Sequence, residues 1–191
     1  DWSSDVCSSD LDPATHGGKS PRRIDTHGSV VFLAGARAYK LKREVAFSYM
    51  DFSTPARRAA LCRAELEANR WMAPQLYLGV LAVVRRGGAL ALVPDAEAGE
   101  DEALDHVVAM RRFPEGSELD ALAAAGRLDA PIVRHLAAVV ARFHGAAEPA
   151  PGFGGAAGLA AVATENRREF AREAAVLDPA LAAEADALCA A

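Results

Sequence analysis

The chain predicts an α+β fold: an antiparallel sheet with one packed helix, followed by a helical unit. Three observations lead there. Short β-rich runs come in pairs divided by glycine, a single long helix with its own start signal interrupts them, and the composition turns Ala-rich and helical beyond Pro114. Hairpin, helix, hairpin and strand, followed by helices alone, is not the alternating βαβ order of a parallel sheet.

The first pair is SVVFLAG and ARAYKLK, starting at Ser29, with Gly35 as the turn signal of a hairpin. FSTPARRAALCRAELEANRWMAP follows. There Thr54 serves as N-cap, Pro55 as first helical residue and Pro74 as the stop, which marks out a helix of about five turns. QLYLGVLAVVRR and ALALV, joined around Gly87 and Gly88, form a second hairpin, and DHVVAMRRF supplies a fifth strand. The acidic run AEAGEDEALD between them (96–105) reads as a solvated connection, since it has no EF-hand ligand spacing.

Past Pro114 come a short helix at LDALAAAG and a longer one opened by Asp129 and Pro131. In the longer helix Ile132, Leu136, Val139, Val140 and Phe143 share a stripe, and Gly145 is the expected C′ residue. PAPGFGG (149–155) is expected to be a loop, followed by helices over roughly 162–176 and 178–190. No internal repeat is apparent.

With 191 residues and 51% hydrophobic content the chain is long enough for one substantial core. A net charge of −5 argues against a broad nucleic-acid-binding surface. Cys7, Cys62 and Cys189 make no metal or disulfide framework, which favours a reducing, cytoplasmic setting. No apolar run reaches the ~20 residues needed to span a bilayer, so no membrane partner is expected. DWSSDVCSSDL (1–11) resembles translated adapter sequence, and residues 1–23 read as a non-native or disordered leader. At the other end the chain stops in the Ala-rich pattern LCAA without a cap.

The informative anomaly is charge on packed faces. In RAYKLKREV, Lys40 and Lys42 point to one face of a strand. On a wheel of about 100° per residue, Glu65 falls among Leu61, Cys62, Leu66 and Met72, with Arg58 and Asn69 on the same arc, while Glu67 joins Arg63 and Arg70 on the polar side. A carboxylate on a packed face is costly without a cation, and the preceding strand offers Lys40 and Lys42. An ordinary structural ion pair satisfies this pattern. So does the arrangement by which phosphoryl-transfer enzymes hold a lysine for nucleotide phosphates.

THGSVVFLAGARAYKLKREV, DFSTPARR, AELEANRWMAPQLYLGV, VVAMRRF and LAAVVARFH resemble, in that order, the amino-terminal half of aminoglycoside phosphotransferase-like proteins of protein-kinase-like fold. The resemblance is closest to the bacterial branch sometimes fused to a separate P-loop kinase domain, and it covers about residues 25–175. It implies a kinase-like small lobe of about five strands over 24–115 and the first helices of an incomplete large lobe over 116–191. It also implies ATP and Mg2+ as cofactors and a small-molecule hydroxyl as acceptor. By that resemblance the phosphate lysine falls on Lys40, with Lys42 as the register alternative, and its partner on Glu65. The turn at Gly28 and Ser29 matches the phosphate-covering hairpin but lacks a full G-x-G-x-x-G, and the backbone near Met110 and Arg111 matches the adenine-binding linker.

One departure matters. The H-x-D-x-x-x-x-N catalytic loop of such enzymes is not found, no histidine follows His144, and Asp178 and Asp186 sit in helical runs. This chain by itself is therefore expected to be inactive. A non-catalytic nucleotide-binding pseudokinase and a ligand-free interaction module remain the alternatives. Other motifs carry less. GGKS (17–20) lacks the first P-loop glycine, whose position holds Pro13; His144 reads as a helix-end residue, His27 as a turn residue and Cys62 as core, and Trp71 receives no binding role.

Overall fold

The computed structural model describes residues 21–99, 102–152 and 154–190. GGKS, Cys7 and nearly all of the expected leader lie outside the described residues. Contacts divide the chain into two compact units, one up to Val133 and one from Arg134.

The first unit is α+β. Among the described residues its sheet has six strands rather than about five: β1 (Arg22–Asp25), β2 (Ser29–Ala34), β3 (Arg37–Lys42), β6 (Tyr77–Arg86), β7 (Ala89–Pro94) and β8 (Ala103–Arg111). Their order is β1-β2-β3-β8-β6-β7, with every neighbouring pair antiparallel. The last strand in sequence is thus inserted at the centre, between the two hairpins. The additional strand is β1, whose Arg22 and Arg23 fall within the span read as leader. They pair with Leu33 and Phe32 instead. RRID gives little strand signal because an edge strand with one solvated face needs only one apolar residue, here Ile24. At the second hairpin, Gly87 and Gly88 both take positive φ (59° and 84°), as a two-residue turn with a matched twist requires. A further small ladder, β4 (Ala46–Phe47) with β5 (Met50–Asp51), follows β3 and was not anticipated.

Helix α1 (Pro55–Arg70) begins as its sequence indicates. Thr54 Oγ1 accepts the Arg57 N–H at 3.3 Å, and Pro55 occupies the first turn. The helix lies against β6 and β8, where Cys62, Val80 and Val108 form one buried cluster with Leu66, Tyr77 and Met110 at its edge. The opposite face of the sheet carries a second cluster of Val30, Phe32, Leu41, Val83 and Val107. Two expected members of the packed helix stripe, Leu61 and Met72, are exposed instead.

Charged residues occupy much of that helix interface. Arg58 Nε donates to Asp105 Oδ2 at 2.7 Å and its Nη1 to the Phe52 carbonyl at 2.9 Å, with the side chains of Arg58 and Asp105 1% and 0% exposed. The acidic run (96–105) is therefore not a solvated connection throughout, since its last residues belong to β8 and Asp105 is buried. Burial pushes its carboxyl above the ordinary value, by more than the His106 backbone N–H and the Arg58 charge pull it down.

Beyond β8 lies α2 (Leu119–Ala124), and α3 (Ala130–Ala146) runs across the division between units. Asp129 Oδ1 accepts the Ile132 N–H, so the expected start of α3 is met. Its expected end is not. The helix passes through Gly145, which does not adopt positive φ. On the α3 stripe Leu136 and Val140 are exposed, and the helix buries no residue.

In the second unit α4 (Gly155–Arg172) starts seven residues before the expected position, with Gly154 as N-cap. It pairs with α5 (Pro179–Ala190) through Arg167 and Asp186. Asp178 caps α5 by accepting the N–H groups of Ala180 and Leu181, rather than lying within a helical run.

Removing the Arg58 charge leaves Asp105 buried and unpaired. Arg58→Met is expected to cost about 3–5 kcal/mol in urea unfolding, and Arg58→Met/Asp105→Leu to recover most of that loss.

Candidate functional site

Three side chains on one face of β3 build the site. Period-2 alternation sends Ala38, Lys40 and Lys42 to the face that α1 covers. Ala38 lies in the wall of an apolar cavity of about 310 Å³, also formed by Ile24, Val31, Leu33, Tyr77 and Met110. Lys40 stands two residues beyond Ala38, about 7 Å along the strand, and outside that wall. Lys42 lies further on, under α1.

Both lysines meet Glu65 of α1. Lys40 Nζ donates to Oε1 at 2.9 Å and Lys42 Nζ to Oε2 at 2.7 Å. The side chains differ in access: Lys40 is 32% exposed, Lys42 6% and Glu65 13%. Lys42 also sits over the Phe52 ring, 5.0 Å from its centroid. The choice between Lys40 and Lys42 that the sequence left open becomes a division of positions, since both pair with the carboxylate and only Lys40 is partly open to solvent. Burial pushes the Glu65 carboxyl up, but hydrogen bonds and charge from Lys42 and then Lys40 outweigh it and hold the group below its ordinary value. The Tyr77 hydroxyl is raised by burial and by the Glu65 charge, which ties the cavity wall electrostatically to the ion-paired cluster.

The other expected site residues are arranged more loosely. Gly28 lies against Met50 and Phe52, and a Cβ there would come within 2.8 Å of the Met50 methyl. Ser29 is buried. Its backbone N–H is donated to Thr26 Oγ1 and its carbonyl accepts from Thr26, so the turn is closed on itself. Met110 and Arg111 are among the residues that line the cavity. The Arg111 N–H, however, is donated to the Leu76 carbonyl and the Arg112 N–H to Ala36, so neither donor is open to a ligand.

Two residues that the sequence does not single out, Arg22 of β1 and Glu115 beyond β8, form an ion pair among the residues lining the cavity. An exposed pair separated by most of the unit has no local signature. Cys62 is core, as expected, with its thiol pushed up to about 12 chiefly by burial. His27 is exposed in its turn, near Phe47, and His144 is exposed in the last turn of α3. Among the described residues, no helix is long and apolar enough to cross a membrane, and no group of three or more His, Cys, Asp or Glu is placed to hold a metal ion.

No family model matches the chain. It is similar to an uncharacterized protein of Mycobacterium bovis and to uncharacterized proteins of two Mycobacterium tuberculosis strains, at 36% identity over 120 residues in each. The matched stretch is 63% of this chain and 22% of each relative, so the chain spans about a fifth of their length. No solved structure matches.

Because the folded Glu65 carboxyl titrates below its ordinary value, its contribution is complete above the unfolded value of about 4.3 and disappears as pH falls through the lower folded one. Glu65→Gln is expected to destabilise the chain by about 3 kcal/mol at neutral pH by leaving Lys42 buried and unpaired. In urea melts across pH, its deficit against wild type should close below about pH 4.

Proposed function

We propose that the first unit is the nucleotide-holding small lobe of an ATP-dependent phosphotransferase of the aminoglycoside phosphotransferase-like class. The transfer would be from ATP to a small-molecule hydroxyl. The observation that carries this reading is the succession on one sheet face of an apolar cavity, a partly open lysine and the carboxylate that holds it. An apolar cavity of this size would suit a purine ring, which would gain from burial against Ile24, Val31, Ala38 and Met110. Alanine at position 38 leaves room for it. Lys40, one strand period further, is where the phosphates of such a nucleotide would extend, and its ammonium supplies a compact positive charge.

On this reading these residues would hold ATP, and no Mg2+ ligand is assigned among them. When bound, ATP would supply the transferable phosphoryl group. The chain's own side chains orient the base, draw in the phosphates and hold Lys40 at the cavity edge. The H-x-D-x-x-x-x-N pattern that would supply the base for transfer does not occur in the 191 residues. The reading therefore assigns this chain nucleotide holding, with transfer to a hydroxyl belonging to the whole protein. A non-catalytic nucleotide-binding module is the second reading, favoured by the same observation.

Calorimetric titration of the chain tests both readings. Wild type is expected to bind ATP, and Lys40→Ala to bind it about 10- to 100-fold more weakly, the worth of one to two charge-assisted hydrogen bonds. Adenosine affinity should not change in Lys40→Ala. Ala38→Phe, which fills the slot, should abolish binding of both ligands. Equal ATP affinity in wild type and Lys40→Ala, or no binding in either, removes the assignment.

A further inference from the structure

We propose that Lys42 is a positioning residue, which keeps the Glu65 carboxylate seated and compensated so that Lys40 is free to turn to a nucleotide phosphate. The inference rests on the nucleotide reading above and assigns the second lysine a separate role.

A single Lys–Glu pair is neutral overall, and a phosphate that draws the ammonium away leaves a half-buried carboxylate facing a second anion. Like charges at such close range repel strongly in a partly buried setting, where solvent screens them less. With two ammonium groups on one carboxylate the cluster carries a formal charge of +1 before any ligand arrives. It keeps one Lys–Glu bond when the other lysine leaves. The second lysine thus converts a neutral pair into an anion-attracting group.

The geometry assigns the two roles without exchange. Lys40 is nearer the cavity in the order Ala38, Lys40, Lys42, and its side chain is 32% exposed. Lys42 is 6% exposed, bonded to Oε2 at 2.7 Å and seated over Phe52. Phe52 is itself fixed: its N–H donates to the Val45 carbonyl and its own carbonyl accepts from buried Arg58. For Lys42 to reach a ligand it would have to leave the carboxylate and the ring together. Lys40 gives up one bond and retains further N–H donors.

The groups around Glu65 are few. β3 contributes the two lysines, β6 contributes Tyr77, α1 contributes the Cys62 thiol, and on β8 Asp105 is paired with Arg58. A change in Glu65 titration on removing either lysine therefore reports that lysine.

The first arm needs no nucleotide. Side-chain carboxyl 13C NMR of the full chain gives the Glu65 pKa in wild type, Lys40→Met and Lys42→Met. Lys42→Met is expected to raise it by about one unit or more, and Lys40→Met by less, because a partly solvated ammonium is better screened. An equal or reversed order overturns the seating role.

The second arm uses wild type alone and so does not depend on a variant folding. On addition of ATP, the lysine ammonium 1H–15N signal of Lys40 should shift while that of Lys42 stays. Movement of Lys42 with Lys40 unmoved overturns the division. In a double-mutant cycle, Lys42→Met should weaken ATP binding about 3- to 10-fold alone and add nothing in a Glu65→Gln background. Additive losses would mean direct phosphate contact and reject the proposal. A wild-type chain that binds no ATP defeats the nucleotide reading and the purpose given to Lys42, whereas the carboxyl titration decides the seating role by itself.

Discussion

A carboxylate held between two ammonium groups is the constraint on which the first unit depends. Glu65 brings charge to a face that must pack, and packing is possible only where β3 supplies cations in register. The contact fixes the rotation of α1 about its own axis. Four residues on one stripe then meet partners in turn: Arg58 with Asp105, Cys62 with the His106 carbonyl, Glu65 with Lys40 and Lys42, and Asn69 back to the Glu65 carbonyl. The helix is docked largely by matched polar groups, with a small apolar cluster between them. Such an interface tolerates little sliding, because a shift of one residue would break two buried ion pairs.

Position along β3 orders the chemistry. Ala38 lines the apolar cavity, Lys40 stands two residues further along the strand and is partly open to solvent, and Lys42 is buried against Glu65 of the helix. Inserting β8 beside β3 places Met110 opposite Ala38 and Val108 opposite Lys40. The cavity and the ion-paired cluster thereby share two adjacent strands and a single rigid frame. Tyr77, paired with Met110 across β6 and β8, lines the cavity and senses the charge of Glu65.

Where the sequence reading and the structure differ, the physical causes are specific. Strand β1 escaped notice because an edge strand can be polar on most of its length, as RRID is. Asp105 sat at the end of an acidic run and read as solvated, yet a cation 47 positions earlier, on a helix, takes it inside. Leu61 and Met72 were expected in the packed stripe on helical period alone. Their exposure follows from a narrower buried face, in which Arg58, Ala59 and Cys62 are the helix residues fully inside, and Met72 lies past the end of α1. Gly145 resembles a helix stop, but glycine ends a helix only where the backbone turns left-handed, and here it does not.

Local sequence determined what short-range rules govern. The two main hairpins follow from β-rich runs split by glycine, the start of α1 from Thr54 and Pro55, the start of α3 from Asp129, and the need of Glu65 for a lysine from helical and strand periodicity. Tertiary structure alone decided that β8 enters between the hairpins, that Glu65 takes both lysines rather than one, and that Lys40 and Lys42 differ in access to solvent. Periodicity names the face on which a side chain lies, whereas burial and partner number depend on which distant segment covers that face. The short range of hydrogen bonds and ion pairs makes that covering decisive.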